Sequence, residues 1–149
     1  MENRWKVFNE GLLEEVKFGR DGFLVDVILQ NYANKKVLFG ASMSKEALEE
    51  TIKRKIVVLW SKTRKKIWVK GETSGDYLRV ISIVLNCEKN QLLIQVFPLG
   101  KGVCHKKDRK GRPRRTCFYR LLLKEVVIMN GIFSEIKEED GTRLSFINE

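Results

Sequence analysis

Two nearly continuous apolar segments, residues 77–85 and 91–97, constrain the fold of this 149-residue chain most strongly. Each has the length of a strand and falls well short of the roughly 20 residues that span a bilayer. Uninterrupted apolar runs of this length are typical of strands that are buried on both faces of a sheet. We therefore predict that these two strands form the centre of a sheet around which the rest of the chain is arranged.

The remaining apolar segments predict that strands dominate the fold. Strands are predicted at residues 23–29, 37–39, 56–60, 67–69 and 118–129, and a hairpin is predicted within residues 132–146. The hairpin would turn at Asp140-Gly141, and a basic turn over residues 62–66 would join two of the other strands. The segment between Gly100 and Thr116 is predicted to be a loop, because its glycines and basic residues cannot be buried.

Two helices complete the predicted fold. Apolar residues at helical spacing predict one helix over residues 4–18. A second helix is predicted over residues 45–55, since the Ser44 hydroxyl can accept a hydrogen bond from its first turn and Glu46 suits the positive end of its dipole. Together these elements predict a β-rich α+β fold with a mixed sheet and one or two short helices, in a single domain over residues 1–149.

The charge balance narrows the class of partner. The chain has 29 Lys and Arg residues and 19 Asp and Glu residues, so its net charge of +10 favours anionic partners such as phosphates or nucleic acid. No apolar run is long enough to cross a bilayer, and the first residues lack the pattern of a secretory signal. We therefore expect a cytoplasmic protein with no membrane partner, whose three cysteines stay reduced.

Cys87, Cys104 and Cys117 are candidate metal ligands, and His105 stands beside the second of them. No Cys-x-x-Cys pair occurs, so the spacing alone is equally consistent with three ordinary core cysteines. Cys104 and His105 nevertheless lie at the edge of a polar, glycine-flanked loop, where a core cysteine is not expected. Zinc favours thiolate and imidazole, and a three-cysteine site with an open position would be catalytic because it activates a water molecule.

The segment 70–75, Lys-Gly-Glu-Thr-Ser-Gly, has the composition of an anion-binding turn. Its two glycines bracket small hydroxylated residues, which lets backbone N–H groups converge on an anion. Glu72 could act there as a base or as a second metal ligand. A plain polar turn between two strands is the commoner meaning of such a segment, so both interpretations stay open.

Two basic segments, residues 62–66 and 106–115, are candidates for phosphate or nucleic-acid contacts. Charge runs usually form solvated surface, but Arg64 and Lys70 are suited to bind a phosphate, and the longer segment is suited to contact nucleic acid. The longer segment lacks the interleaved aromatic residues that stack on bases. We therefore do not favour nucleic acid as its partner.

A series of short motifs extends over residues 21–120. In chain order these are Gly22-Phe23-Leu24, Val37-Leu38, Glu46-Ala47-Leu48, Trp60-Ser61 with Arg64, Trp68 with the segment 70–75, Arg79-Val80, Cys104-His105 and Cys117-Phe118-Tyr119-Arg120. Together they resemble the phosphoribosyl-AMP cyclohydrolase family, whose members open the purine ring of N1-phosphoribosyl-AMP in histidine biosynthesis. Residues 121–149 have no role in these motifs and form a C-terminal extension.

The resemblance implies a zinc hydrolase and an intertwined homodimer. The family's three zinc cysteines fall on Cys87, Cys104 and Cys117, and the zinc is shared between the two subunits. Water would attack C6 of the purine and the N1–C6 bond would break, with His105 and Glu72 as the groups that move protons. The phosphorylated purine nucleotide would contact Trp60, Ser61, Arg64, Lys70, Gly71, Thr73, Ser74 and Gly75.

The turn around Cys87 departs from the family pattern. The family surrounds this cysteine with Asp-Cys-Asp-x-Asp, whose carboxylates resemble a hard-cation site for magnesium. Here the corresponding residues are Asn86, Glu88 and Asn90, and Lys89 lies among them. Because two carboxylates have become amides and an ammonium group has been added, we predict that magnesium affinity falls sharply. A second departure is Asp76, which stands where the family commonly has histidine.

Three functions follow from these patterns. The first is zinc-dependent opening of the purine ring of N1-phosphoribosyl-AMP. The alternative is a divergent homologue that keeps zinc but acts on or binds a different nucleotide or nucleic acid, and a third is a binding module without chemistry. The three thiols, Glu72 and His105 favour chemistry, whereas the lost aspartates favour the divergent homologue.

Overall fold

The computed structural model describes residues 11–122, 127–129, 132–134 and 145–146. Within these residues the helices are α1 (Gly11–Glu15) and α2 (Lys45–Arg54). The strands are β1 (Leu24–Asn31), β2 (Val37–Ser44), β3 (Val58–Ser61), β4 (Lys66–Val69), β5 (Leu78–Leu85), β6 (Gln91–Pro98), β7 (Cys104–Lys107), β8 (Pro113–Arg114), β9 (Arg120–Leu121), β10 (Val127–Met129), β11 (Ile132–Ser134) and β12 (Ser145–Phe146). The predicted β-rich α+β class is therefore confirmed.

A four-stranded mixed sheet in the order β2-β1-β6-β5 is the main element of the fold. β1 runs antiparallel to β2 and parallel to β6, and β6 runs antiparallel to β5. The central position predicted for residues 91–97 is confirmed, but the prediction for residues 77–85 is wrong, because β5 is an edge strand and its Ile81 is 44% exposed. Apolar content reflects a tendency to be buried, and it does not report how many hydrogen-bonded neighbours a strand has.

The hydrophobic core lies on one face of this sheet. Alternate residues of the two central strands are buried there, namely Val25, Val27, Leu29, Leu92, Ile94 and Val96. α2 covers the same core with Ala47 and Leu48. Burying each large aliphatic side chain stabilises the fold by roughly 1.5–3 kcal/mol, so this face is a rigid platform for the segments attached to it.

α2 confirms the helix predicted over residues 45–55. Ser44 Oγ accepts a hydrogen bond from the Ala47 N–H at 3.2 Å, and Lys55 ends the helix with a left-handed φ of 59°. Thr51 is buried, and its hydroxyl accepts a hydrogen bond from the Val58 N–H at 2.9 Å. This bond attaches β3 to the helix, so the helix positions the β3–β4 hairpin.

The helix predicted over residues 4–18 is represented by α1, Gly11–Glu15, and residues 4–10 lie outside the described part of the chain. The strands predicted at residues 23–29, 37–39, 56–60 and 67–69 are confirmed as β1 to β4. No helix among the described residues is long and apolar enough to cross a membrane.

One prediction for the C-terminal half is wrong, and another lies mostly outside the described residues. The segment predicted as a loop between Gly100 and Thr116 contains the antiparallel pair β7–β8, in which Cys104 lies opposite Arg114. Of the hairpin predicted within residues 132–146, the structure describes only β11 and β12, which pair with β10 and β9 respectively. Its predicted turn at residues 140–141 and part of the strand predicted over residues 118–129 lie outside the described residues. Pairing depends on contacts distant in sequence, which local patterns do not encode.

Candidate functional site

A cavity of about 1030 Å³ lies beside the free edge of the central sheet. Its walls come from β1, β2, the β3–β4 hairpin, the segment 69–76, the start of β6, the start of β7 and the residues around Cys117. The predicted site residues that line it are Trp60, Arg64, Lys70, Gly71, Glu72, Thr73, Ser74, Cys104, His105 and Cys117. Several segments that are distant in the sequence thus converge on one volume that is large enough for a nucleotide.

The β3–β4 hairpin supplies an aromatic and cationic wall. The ring of Trp60 packs edge-on against Phe23 with the ring centroids 4.7 Å apart. The Arg64 guanidinium lies 5.6 Å from the centroid of the Trp68 ring, a cation–π contact that holds the charged group at the cavity. Ser61, which was predicted to contact substrate, accepts a hydrogen bond from the Arg64 N–H at 3.2 Å and is not part of the lining.

The segment 70–75 forms a tight turn that depends on its first glycine. Gly71 has a φ of 95°, and a Cβ at this position would lie 2.4 Å from the Tyr77 nitrogen. The turn is closed by a hydrogen bond from the Gly75 N–H to the Gly71 carbonyl at 2.8 Å. Glu72 lines the cavity, and its carboxylate accepts a hydrogen bond from the Val69 N–H at 3.4 Å. Gly75 shapes the turn without being part of the cavity lining.

Lys70, which was predicted to contact a phosphate, lines the cavity and is buried. The residue is 8% exposed, and its ammonium group donates a hydrogen bond to the Asp76 carbonyl at 3.2 Å. Burial lowers the pKa of Lys70, and the negative charges of Asp76, Cys117 and Cys104 oppose that shift. The Lys70 side chain therefore lies close enough to both thiols to interact with them electrostatically.

Cys104 and Cys117 bring their sulfur atoms together in the cavity. Cys104 is buried on β7, while Cys117 is exposed as a whole residue but has its thiol beside that of Cys104. Burial, together with a hydrogen bond from one thiol to the other, raises the pKa of Cys117 to about 12. The Cys117 N–H donates to the Leu38 carbonyl at 2.7 Å, which fixes this residue to the free edge of β2. Two thiols with the His105 imidazole nearby are donors that suit zinc.

Cys87 lies elsewhere, in the turn between β5 and β6. It is exposed and does not line the cavity. Among the residues that the structure describes, no group of three histidine, cysteine or carboxylate side chains is close enough to hold a metal ion. One chain therefore brings together two of the three predicted zinc ligands.

The 86–90 turn is closed by its own side chains. Asn86 Oδ1 accepts hydrogen bonds from the N–H groups of Asn90 and Gln91, both at 2.9 Å, and Asn86 Nδ2 donates to Asn90 Oδ1 at 2.8 Å. The Lys89 ammonium lies 2.7 Å from the Glu15 carboxylate of α1. The side-chain oxygens of both amides are thus engaged within the turn, and Glu88 is its one carboxylate. This donor set does not fit Mg²⁺, which prefers several carboxylate or water oxygens.

Asp76, Asp26, Gln91 and Phe118 are cavity residues that sequence reasoning did not assign to the site. Asp26 and Gln91 reach it because they are opposite each other in the parallel pairing of β1 with β6. That register is set by long-range pairing and leaves no local signal. In the sequence, Asp76 was identified only as a departure from the family motif. In the structure it is buried, and its carboxylate is hydrogen-bonded to the Lys101 N–H.

Comparisons with known proteins give a consistent result. A family model described as phosphoribosyl-AMP cyclohydrolase matches residues 39–119. The phosphoribosyl-AMP cyclohydrolase of Chlorobium limicola is 40% identical over 111 residues, which cover 74% of this chain and 75% of that protein. The protein of the same name from Methanosarcina mazei is 42% identical over 104 residues, which cover 70% of this chain and 81% of that protein. The matched residues 39–119 include all three cysteines and most of the cavity walls.

A longer protein also matches. The histidine biosynthesis bifunctional protein HisIE of Pasteurella multocida is 41% identical over 97 residues. These cover 65% of this chain but only 45% of that protein.

Proposed function

Because the chain belongs to the phosphoribosyl-AMP cyclohydrolase family and is a hydrolase, we propose that it opens the purine ring of N1-phosphoribosyl-AMP in histidine biosynthesis, as a zinc enzyme that hydrolyses the N1–C6 bond. The observation that carries this proposal is the convergence of two thiols, His105 and Glu72 on one cavity of nucleotide size. A plain binding module has no use for such a group of metal ligands and proton-transfer groups.

Zinc would be held by Cys104 and Cys117 in the cavity and by Cys87. When bound, it supplies a Lewis acid that activates water for attack on the purine. The Lys70 ammonium offsets the negative charge of the two cavity thiolates, which stabilises their deprotonated form. Burial and the neighbouring thiol oppose deprotonation in the absence of metal, so zinc binding would release protons from this pair.

Glu72 and His105 are the proton-transfer groups in this proposal. Both line the cavity, and they reach it from different segments, the 70–75 turn and β7. Glu72 is anchored by the Val69 N–H and retains oxygen lone pairs that can accept a proton from water. His105 can protonate a ring nitrogen as the N1–C6 bond breaks, because imidazole is the side chain most often used for proton transfer in catalysis.

The substrate's two phosphates would be bound by the basic and N–H-rich parts of the cavity. Arg64 and Lys62 line the cavity, and so do Gly71, Thr73 and Ser74 of the 70–75 turn. Arg64 can bind a phosphate through two hydrogen bonds, and the cation–π contact with Trp68 reduces the entropy lost on binding. The rings of Trp60 and Trp68 provide the apolar surface that a purine needs.

Homodimerisation is part of the proposal, because Cys87 is remote from the cavity of its own chain. A second copy would supply the third thiol, so that each zinc is shared between two subunits. Edge strand β5 and the end of β6 are suited to this contact, since Ile81, Phe97 and Leu99 are 44%, 49% and 53% exposed. Apolar side chains clustered at a sheet edge typically mark an interaction surface.

Magnesium is not part of the proposed mechanism. The amides of Asn86 and Asn90 are hydrogen-bonded to each other, and the Lys89 ammonium adds a positive charge that repels a cation. We therefore expect zinc to be the metal on which turnover depends.

The test is hydrolysis of N1-phosphoribosyl-AMP by zinc-loaded protein, followed by ultraviolet absorbance with and without added Mg²⁺. We expect turnover that is lost when zinc is removed by a chelator, is restored by zinc and is unchanged by Mg²⁺. Zinc bound at full occupancy without turnover would overturn the substrate assignment and favour the divergent homologue. Turnover by metal-free protein would overturn the zinc mechanism.

A further inference from the structure

Asp76 is a buried carboxylate whose partners lie far away in the sequence. The residue is 7% exposed, and Asp76 Oδ1 accepts hydrogen bonds from the N–H groups of Lys101 at 3.0 Å and Gly102 at 3.3 Å. These donors lie 25 and 26 residues further along the chain. A buried charge is tolerated only when it is well hydrogen-bonded, so these two bonds hold the 100–102 segment in place.

The backbone of Asp76 is bound as tightly as its side chain. Its N–H donates to Ser74 Oγ at 3.1 Å, and its carbonyl accepts the Lys70 ammonium at 3.2 Å. Ser74 belongs to the turn that we assign to phosphate binding, and Lys70 is the charge beside the thiols. Asp76 therefore contacts two parts of the proposed site through its backbone and a third segment through its carboxylate.

The third segment leads directly to the metal ligand. A Cβ on Gly100 would lie 2.2 Å from Asp76 Oδ1, and a Cβ on Gly102 would lie 2.5 Å from Pro113 Cβ. The 100–102 segment is thus held closely between Asp76 and β8. Cys104 and His105 follow within three residues, and the intervening Val103 donates its N–H to the Arg114 carbonyl at 2.8 Å.

We propose that Asp76 is a positioning residue that fixes Cys104 and His105 relative to the 70–75 turn and Lys70. The expected effect of Asp76 on catalysis rests on the proposed function. Its effect on the position of Cys104 and His105 follows from the hydrogen bonds alone. The position requires a hydrogen-bond acceptor at the reach of an aspartate side chain. Asparagine keeps this acceptor, alanine removes it, and glutamate moves it by one methylene group into the space taken by Gly100.

The experiment compares Asp76→Asn, Asp76→Ala and Asp76→Glu in the full-length protein. The first measurement is the rate at which iodoacetamide alkylates Cys104, with peptide mass mapping to separate the three cysteines. Cys104 is 5% exposed, so alanine and glutamate should each raise its rate at least several-fold, while asparagine stays near wild type. The second measurement is kcat, which should fall roughly 100-fold with alanine and recover with asparagine, because small misplacements of reacting groups have effects of this size.

Asn31→Ala is the matched control. Asn31 Oδ1 also accepts two backbone N–H groups, from Ala33 at 2.8 Å and Asn34 at 3.3 Å, but in the β1–β2 turn away from the cavity. This change should leave the Cys104 rate and kcat unaltered.

The proposal would be overturned if Cys104 in the glutamate variant were alkylated at the wild-type rate. It would also be overturned if the asparagine and alanine variants were alkylated equally fast. If the alanine variant does not fold, the comparison of the glutamate and asparagine variants still tests the proposal. If wild-type protein lacks turnover, the proposed function fails while the alkylation rates still test Asp76.

Discussion

The cavity and the 86–90 turn each carry predicted zinc cysteines, and they are built in opposite ways. In the cavity, Cys104 and Cys117 are brought together by contacts between segments distant in sequence, and Lys70, which is hydrogen-bonded to Asp76, lies close to both thiols. In the 86–90 turn, Cys87 is exposed on a loop that is closed by its own side chains, and Lys89 also contacts Lys17 and Glu15. The cavity is thus assembled from several distant segments, whereas the 86–90 turn is mostly local and presents Cys87 to solvent, where a second molecule can reach it.

The largest effect is expected when two inactive variants are mixed, which tests whether Cys87 and the Cys104–Cys117 pair of one zinc site come from different subunits. Cys87→Ser and Cys104→Ser should each lose zinc and all measurable turnover. After unfolding and refolding together, they should regain activity, because a mixed dimer contains one site with Cys87 from one subunit and Cys104 and Cys117 from the other. The measurement is zinc content and hydrolysis of N1-phosphoribosyl-AMP before and after mixing.

The matched control is a mixture of Cys104→Ser with Cys117→Ser. Both changes fall in the same half of the proposed site, so no intact site forms and activity should stay absent. Equal recovery in the two mixtures, or none in either, would contradict a zinc site shared between subunits.

His105→Asn should have the next largest effect. The change removes a proton-transfer group of the cavity and leaves the thiols in place, so kcat should fall roughly 100- to 10,000-fold while zinc content is retained. Glu72→Gln should behave similarly. Steady-state kinetics with metal analysis on the same samples provide the check, and loss of zinc together with kcat would instead make these residues supports of the metal site.

A change in the 86–90 turn should create a magnesium site that the wild-type turn lacks. The triple variant Asn86→Asp, Lys89→Ala, Asn90→Asp restores three carboxylates and removes the ammonium group, so saturating Mg²⁺ should stabilise it by about 2–3 kcal/mol. Thermal unfolding with and without Mg²⁺ measures the shift. The wild-type melting temperature should not respond, and an equal response in both proteins would show that the amides already bind the cation.

The β7–β8 hairpin should give the smallest effect. Lys106 and Lys110 are exposed on the segment that starts at the cavity, so Lys106→Gln with Lys110→Gln should lower kcat/KM a few-fold at low salt and not at high salt. Lys89→Gln is the control, because Glu15 already pairs with that ammonium group. If the wild-type protein instead binds nucleic acid in a salt-dependent way and the double variant does not, the nucleic-acid hypothesis for residues 106–115 is supported.

The parts of the fold that depend on local chemistry could be predicted from the sequence. The Ser44 cap, the α2 helix and the turn of residues 70–75 each follow from residues that are neighbours in the chain. The edge position of β5, the β7–β8 pair and the pairing of β11 could not be predicted, because each depends on which strand becomes the neighbour.

The candidate site also has features that could be predicted from the sequence and features that could not. The residues of the motifs were predicted, since their types carry the chemistry. Two consequences of the fold were not: the inward direction of Lys70, and the link that Asp76 makes to Lys101. Both depend on packing between segments, and neither leaves a pattern within one segment.

The parallel pairing of β1 with β6 has a consequence for the order in which the molecule folds. Val27 lies opposite Leu92, so the middle of the sheet closes a loop that contains α2 and the β3–β4 hairpin. The β1–β2 and β5–β6 hairpins close short loops, and the entropy lost in closing a loop grows with its length. We therefore expect both hairpins to form early and to dock onto each other afterwards through β1 and β6. Folding should then be slow for a chain of this size, and the cavity should be completed in the last step.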